Sequence, residues 1–292
     1  MISNSFKLLL STRKMTTFFP LVSVIIPSYN AAAFIRETVY SVLDQTYSNI
    51  EVIVVDDGSK DNTAEILQEF GNKIHYHRQV NAGVSQARNK GFGLSKGEYV
   101  CFLDADDWLF PNTIAEKVQL MESDASLGIV YGRVEVTDMH LKPTGEILYP
   151  TAGKNLVELL CRFKWPIPCP SNVLFRRKVL DDVGLFDPQL STSADYDMWL
   201  RVCSIYETGV IPRLSVKYRK HGSNMSSNIS RFKKDMELII KKCEGNGLLT
   251  GKNLSRLKSN YFLLLAKLLL YQKDWTGIYY LSDFIKYRFL KK

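Results

Sequence analysis

Four strand-like runs in the first 103 residues are separated by helix-like segments and stop abruptly at polar side chains. The strand-like runs are 21–27, 51–55, 75–78 and 99–103. The intervening segments with helical spacing of apolar residues are 31–45, 62–70 and 83–95. Alternation of strand and helix predicts an α/β domain with a mostly parallel central sheet, flanked by helices and joined by right-handed crossovers.

Three of these strands end in polar clusters. Residues 28–30 follow the first strand, Asp56 and Asp57 end the second, and an acidic cluster at 104–107 follows the fourth. In open α/β sheets, ligands bind beyond the carboxyl ends of the strands. We therefore expect the three clusters to share one binding site.

The acidic cluster holds three carboxylates in four residues, Asp104, Asp106 and Asp107. Carboxylates this close repel one another unless a cation is present, and Mg²⁺ or Mn²⁺ prefers such oxygen ligands together with substrate phosphates. The alternative is that Asp107 caps a helix at 112–121. Asp56 and Asp57 have two interpretations as well, a contact to a nucleotide base or ribose, or a turn followed by a helix cap.

The second half of the chain is less regular. Strands are predicted at 128–131 and 134–136, and helices at 156–163 and 194–205. Three prolines within 165–170 exclude a helix or a central strand there. From residue 231 onward the pattern is helical, with an interruption at 245–247, which predicts a helical C-terminal region at 229–292.

Composition narrows the class of protein. The 292 residues suffice for one large domain and a smaller appendage. The five cysteines are scattered, which fits a reducing cytoplasm better than a disulfide framework or a zinc site. No apolar run reaches the roughly 18–20 residues of a membrane-spanning helix. Residues 1–19 are expected to be a poorly ordered leader without a secretory signal, and translation starts at Met1 or Met15.

In order along the chain, these stretches resemble the inverting family-2 glycosyltransferases of the GT-A fold. The matching stretches are VSVIIPSYN at 22–30, SVLDQT at 41–46, VVDDGS at 54–59, NAGVSQARN at 81–89, and GEY at 97–99 leading to DADD at 104–107. The resemblance covers roughly residues 20–226 and implies a catalytic domain at 20–228. It also implies a nucleotide-diphosphosugar donor, with UDP as the first expectation, and an Mg²⁺ or Mn²⁺ cofactor.

The resemblance assigns roles to individual residues. Asp106 and His221 are expected to bind the metal. Residues expected to contact the nucleotide are Pro27, Tyr29, Asp56, Asp57, Arg88 and Asp104. For Arg88, a bracing role beside the acidic loops is the alternative.

The family's proton-accepting carboxylate corresponds to Asp195, which would deprotonate the acceptor hydroxyl. The Glu that usually precedes it is replaced by Ala194. Asp197 is the competing candidate for the base, and a helix cap is the structural alternative for Asp195. Trp165, Asp197 and Trp199 are assigned to the acceptor region, although a place in the core explains either tryptophan equally well.

The C-terminal region carries the basic charge. Residues 231–292 contain 14 Lys or Arg and 5 Asp or Glu, whereas the rest of the chain is nearly neutral. Aromatic residues and leucines interleaved with lysines at 259–292 are typical of a helix on an anionic membrane, and equally of helices packed on the catalytic domain. No nucleic-acid-binding motif is present. We expect a cytoplasmic enzyme with a saccharide or glycolipid acceptor. If residues 259–292 bind a membrane, we expect the enzyme to be peripheral on the inner face of that membrane.

Two other functions remain open from the sequence. The absence of the usual Glu at Ala194 favours a nucleotide-sugar binding protein without transfer activity. A nucleotidyltransferase would share the sheet and the acidic loop, but it usually needs a Gly-rich phosphate loop after the first strand. Residues 28–32 lack such a loop.

Overall fold

The computed structural model describes residues 19–153, 155–222 and 229–290. Within these residues, nine strands form one sheet in the order β3-β2-β1-β4-β8-β6-β9-β5, with β7 beside β6. The strands are β1 (Val22–Ser28), β2 (Ile50–Asp56), β3 (His75–Arg78), β4 (Tyr99–Phe102), β5 (Trp108–Leu109), β6 (Leu127–Thr137), β7 (Pro143–Leu148), β8 (Leu174–Arg176) and β9 (Glu207–Arg219).

The first four strands pair as the sequence predicts. β1 lies between β2 and β4 and is parallel to both, and β3 extends the parallel half beyond β2. The later strands make the sheet mixed, because β8 pairs antiparallel with β4 and with β6, while β6 and β9 are parallel. The two short strands expected at 128–131 and 134–136 form one continuous strand, β6, with register shifts in its pairing to β9.

Ten α-helices accompany the sheet within the described residues. They are α1 (Ile35–Leu43), α2 (Thr63–Gln68), α3 (Val84–Leu94), α4 (Thr113–Ser123), α5 (Leu156–Cys161), α6 (Arg177–Val183), α7 (Ala194–Cys203), α8 (Ile229–Gly245), α9 (Gly251–Tyr271) and α10 (Gly277–Ile285). The proline-rich segment 165–169 is neither helix nor strand, as three prolines require.

The core divides between the two faces of the sheet. Successive side chains of a strand point to opposite faces. Ile25 of β1 and Phe102 of β4 therefore belong to one cluster, and Val24 and Cys101 to the other. All four side chains are fully or almost fully buried, so the central strands read as continuous apolar runs.

The C-terminal helices pack on the domain rather than standing apart from it. Met236 and Ile239 of α8, and Leu257 and Tyr261 of α9, are buried in the same cluster as Trp199 of α7. In the described part of the chain, no helix is both long and apolar enough to cross a membrane.

Candidate active site

The sheet register brings the acidic strand ends to one edge. Ser28, the last residue of β1, lies opposite Asp56 of β2, and Asp57 donates its N–H to the Ser28 carbonyl at 2.8 Å. On the other side of β1, Leu103 donates its N–H to the Ile25 carbonyl at 2.9 Å. The residues that follow these pairs, Asp57 and Asp104, therefore leave the sheet at the same edge.

Asp56 is fully buried and organises the loop after β2. Its carboxylate accepts the Ser59 N–H at 2.8 Å and the Tyr76 hydroxyl at 2.9 Å. Burial and this hydrogen bond raise the pKa of Tyr76 to about 12. Between Asp56 and Ser59 the chain turns at Gly58, which has a φ of 79°, a conformation that side-chain-bearing residues rarely adopt.

Asp57 holds the start of α3. Its carboxylate accepts the Gln79 side-chain amide and the N–H groups of Ala82 and Gly83, each at 2.8 Å. Neither α2 nor α3 has a side-chain cap hydrogen bond, so the helix cap that the sequence left as an alternative for Asp57 is not formed, and Asp57 instead holds the two residues that precede α3. One acceptor position on Oδ2 remains after these three hydrogen bonds.

Arg88 connects α3 to the acidic loop. Its guanidinium donates to Asp104 Oδ1 at 2.6 Å and lies 5.0 Å from the centre of the Phe186 ring. The next residue, Asn89, exchanges two hydrogen bonds with the backbone of Phe186. Asp57 thus fixes the helix whose second turn pairs with Asp104, so the two acidic strand ends are mechanically linked through α3.

Asp106 and His221 form a close pair at the same loop. Asp106 Oδ2 and His221 Nε2 are 2.9 Å apart, and the His221 ring stacks on Phe34, the N-cap residue of α1, at 4.8 Å. Burial and the neighbouring charge of Asp104 raise the pKa of Asp106, while His221 opposes that rise. Additional positive charge nearby stabilises the ionised form of such a carboxylate.

Asp107 plays a structural part. It is buried, and its carboxylate accepts the Ser171 hydroxyl at 2.5 Å and the Arg219 N–H at 3.1 Å. Burial, followed by the charges of Asp106 and Asp104, raises its pKa well above the ordinary value. Asp107 therefore fixes the loop and does not cap α4.

The side chain of Arg219 locks this loop to α1. It is almost fully buried, donates to the Asp106 carbonyl at 2.7 Å, and pairs with Glu37 at 2.8 Å. Its guanidinium also lies 4.7 Å from the centre of the Phe34 ring. Sequence reasoning missed Glu37 and Phe34, since nothing in their local pattern signals a partner 182 or more residues away.

Asp106 supplies a carboxylate oxygen, the donor type that Mg²⁺ and Mn²⁺ prefer, and His221 places an imidazole nitrogen, which Mn²⁺ accepts more readily than the harder Mg²⁺, at 2.9 Å from that oxygen. Among the described residues, no group of three or more His, Cys, Asp or Glu side chains is arranged to hold a metal alone. Two protein ligands are nevertheless the usual number where substrate phosphates complete the coordination. The residues present therefore fit a metal that binds together with a diphosphate.

Asp195 lies in the first turn of α7 and is partly exposed. Burial raises the pKa of its carboxyl, the charge of Arg88 lowers it, and the charge of Asp104 raises it. Both members of the Arg88–Asp104 ion pair therefore act electrostatically on Asp195. Within the described residues, its side chain accepts a hydrogen bond only from the Tyr196 N–H, at 2.8 Å. The carboxylate is therefore available to a ligand.

The competing candidate for the base, Asp197, forms ion pairs within the protein. It is buried, pairs with Arg201 at 2.8 Å and accepts from Lys242 of α8 at 2.9 Å. The same Lys242 ammonium contacts Asp187 at 2.9 Å. Both carboxylate oxygens of Asp197 are therefore engaged, and its ion pair with Lys242 connects α7 to α8.

The remaining predicted site residues differ in exposure. Tyr29 is 48% exposed and Trp165 51%, whereas Pro27 is buried in β1. Trp165 contacts the ring of Tyr196 edge-on at 5.6 Å, which places it against the first turn of α7. Trp199 is 1% exposed and stacks on Phe175, so it belongs to the core and lines no accessible surface.

Comparison with known proteins identifies the family. Residues 23–184 match the family model described as glycosyl transferase family 2, which covers more than half of the chain. The chain therefore belongs to glycosyltransferase family 2. A glycosyltransferase from Rickettsia bellii is 36% identical over 238 residues, 77% of this chain and 34% of that protein. This chain thus spans about a third of the length of that relative.

Solved structures share the GT-A fold. Staphylococcus aureus TarS residues 1–349, in complex with UDP-GlcNAc, superposes with a TM-score of 0.64 at 18% identity and covers 92% of this chain and 91% of that chain. The Pyrobaculum calidifontis mannosyltransferase PcManGT, in complex with GDP-Man and Mn²⁺, has a TM-score of 0.57 at 18% identity and covers 94% and 89%. The predicted fold class is confirmed.

Proposed function

We propose that this protein is an inverting glycosyltransferase that moves a sugar from a nucleoside diphosphate, UDP in the first instance, to a hydroxyl group of a saccharide or glycolipid. The observation that carries the proposal is the state of Asp195. It is a partly exposed carboxylate with a raised pKa and almost no protein hydrogen bonds, beside the Arg88–Asp104 pair. A base poised in this way accepts a proton efficiently nearer neutral pH.

In the proposed reaction, Asp195 takes the proton of the acceptor hydroxyl as its oxygen attacks the anomeric carbon. The bond from that carbon to the diphosphate oxygen breaks, and the nucleoside diphosphate leaves on the opposite face, which inverts the configuration. Asp106 and His221 would hold the metal, which neutralises the charge that develops on the leaving diphosphate. We do not assign the base to Asp197, because Arg201 and Lys242 already engage both of its carboxylate oxygens.

We assign the donor to the edge where β1 and β2 end. Tyr29 offers an exposed ring there, and the remaining acceptor position of Asp57 suits a base N–H. Asp56 and Pro27 are buried and shape this edge, and Asp104, held by Arg88, faces the ribose or a metal-bound water. Support for a nucleotide-sugar ligand comes from the solved complexes of proteins with this fold, one with UDP-GlcNAc and one with GDP-Man.

We assign the acceptor to the side of Trp165, where an exposed indole next to Tyr196 can stack on a sugar ring.

A glycolipid acceptor would suit the basic C-terminal region. There, exposed apolar side chains stand beside Lys273, Lys286 and Arg288, namely Tyr271, Trp275, Ile278, Tyr279 and Ile285. We propose peripheral binding to an anionic membrane on its cytoplasmic face. Vesicles of phosphatidylglycerol should bind the protein, and Trp275→Ser with Tyr279→Ser should abolish binding.

The function is tested with a nucleotide-sugar panel in the presence of Mn²⁺. One donor should raise the melting temperature by mass action, and its hydrolysis or transfer should stop with EDTA or in Asp106→Ala. Asp195→Asn should retain donor binding and lose turnover by about 10²-fold or more. Asp181→Asn, an exposed carboxylate of α6, is the matched control and should behave as wild type.

Other outcomes point to the other functions. Donor binding without transfer to any acceptor, unchanged by Asp195→Asn, would identify a nucleotide-sugar binding protein. Turnover that is independent of metal, or full activity in Asp106→Ala, would refute the assignment of the acidic loop. Release of pyrophosphate from a nucleoside triphosphate and a sugar phosphate would indicate a nucleotidyltransferase.

A further inference from the structure

A buried carboxylate of the C-terminal region holds the segment that leads into the α7 helix. Asp235 of α8 is 2% exposed. It accepts the N–H groups of Ser191 at 3.1 Å, Thr192 at 2.7 Å and Ser193 at 3.0 Å, and the hydroxyls of Ser191 and Thr192 at 3.2 Å. Five donors from three consecutive residues converge on one carboxylate.

This segment determines where Asp195 sits. Ser193 is the N-cap residue that immediately precedes α7, and Asp195 follows two positions later. Hydrogen bonds to an ionised acceptor are about twice as strong as neutral ones. The three backbone bonds therefore fix the path of the chain immediately before the candidate base. Further along α8, Lys242 pairs with Asp187 and with Asp197 of α7.

The arrangement bears on the residue at which this chain departs from the family pattern. Ala194 occupies the place of the usual Glu and is 2% exposed, with its methyl group in the core. The side chain next to Asp195 therefore cannot orient the base through hydrogen bonds. Asp235, 40 positions further along the chain from Asp195, instead holds the segment that leads into α7.

We propose that Asp235 is a positioning residue for the transfer reaction, holding residues 191–193 so that Asp195 reaches the acceptor hydroxyl. This inference rests on the proposed function. It makes the C-terminal helices part of the catalytic apparatus, although Asp235 touches no substrate. A displacement of about 1 Å at a reacting group costs on the order of 10²-fold in rate, so the hold on this segment is expected to affect turnover more than donor binding.

The test compares Asp235→Asn and Asp235→Ala with Glu237→Gln, an exposed carboxylate of the same helix. Asn keeps one acceptor oxygen and Ala keeps none. We expect kcat to fall by about 10-fold in Asp235→Asn and about 10²-fold in Asp235→Ala, with donor Kd changed less than about twofold. Activity is measured well below the melting temperature of each variant, so that global unfolding does not contribute. Glu237→Gln should match wild type.

Amide hydrogen exchange gives a readout that does not depend on activity. Exchange of the peptide that contains 191–197 should accelerate in Asp235→Ala and stay unchanged in Glu237→Gln. A second comparison is Lys242→Met, which removes the other polar anchor of α8 and should lower the melting temperature without accelerating exchange at 191–193. If neither Asp235→Ala nor Asp235→Asn folds, the double variant Ser191→Ala with Thr192→Val is used instead. It removes the two hydroxyl donors to Asp235 and should give a smaller fall in kcat.

Three results would overturn the inference. The first is wild-type kcat in folded Asp235→Ala, and the second is unchanged exchange at 191–193. A fall in kcat matched by an equal loss of donor affinity would also contradict it, because that pattern indicates general damage to the fold. If wild type binds donor but transfers nothing, the proposed function fails by itself, and the exchange measurement still decides whether Asp235 holds the segment.

Discussion

Replacing Arg88 by Met tests the electrostatic link between the donor side and the candidate base. Met keeps most of the apolar length of the side chain and removes its charge. Burial raises the pKa of Asp195, and the charge of Arg88 is the largest influence that lowers it. Removing the positive charge of Arg88 should therefore raise the pKa of Asp195 further. A base must be ionised to act, so the acid limb of the pH profile should move to higher pH.

The magnitude follows from the burial of the pair. The Arg88 side chain is 6% exposed and that of Asp104 is 28% exposed. Leaving Asp104 without its partner should cost about 1–2 kcal/mol of unfolding free energy, less than the roughly 3–5 kcal/mol of a fully buried pair, because Asp104 still reaches water. For a chain of this size, the melting temperature should fall by roughly 2–8 °C.

The assay is kcat/KM for transfer, or for donor hydrolysis, across about pH 5 to 9, since its limbs report groups of the free enzyme. The wild-type acid limb should lie above the ordinary value for a carboxyl group, and the Arg88→Met limb should lie at still higher pH. Arg36→Met, which removes an exposed arginine paired with Glu69, should leave the limb in place. An unshifted limb in Arg88→Met, or a shift to lower pH, would refute the reasoning.

Two further predictions concern neighbouring residues of the same site. Trp199→Ala should lower the unfolding free energy by about 3–5 kcal/mol because its ring fills the core, whereas Trp165→Ala should leave the melting temperature nearly unchanged and raise the KM for the acceptor. The opposite pattern would exchange their roles. Ala194→Glu, which restores the family residue, should lower the melting temperature rather than raise activity, because the methyl group is buried and an unpaired carboxylate there is costly; Ala194→Ser, assayed alongside, should lose much less stability.

The first half of the fold could be predicted from the sequence because its signals are local. An apolar run such as 21–27 followed by a helical period specifies a parallel β-α-β unit, and the carboxyl ends of neighbouring strands must meet at one edge. The order in which β8, β6 and β9 join the sheet was not predictable in this way. Their pairings are long-range and partly antiparallel, and no periodicity within a strand encodes its neighbour.

The same division applies to the residues of the site. Asp104, Asp106 and Asp195 stand out in the sequence because they lie at a strand end or a helix start within stretches that resemble the family, although helix capping is a common alternative use of such residues. Which carboxylate is available to a ligand depends on partners from distant segments, and the sequence could not choose between Asp195 and Asp197. The structure separates them, since Lys242 of α8 and Arg201 occupy Asp197 and leave Asp195 accessible.

By itself, then, the sequence determined the chemistry that gathers at the edge of the sheet, because residue type and strand period are local properties of the chain. Tertiary structure decided which of those groups are engaged and what holds them. The guanidinium of Arg219 reaches Glu37 across 182 positions, and Asp235 reaches back to Ser193 from a helix beyond the family match. Hydrogen bonds and ion pairs of this kind depend on distances in space, which only the packed chain defines.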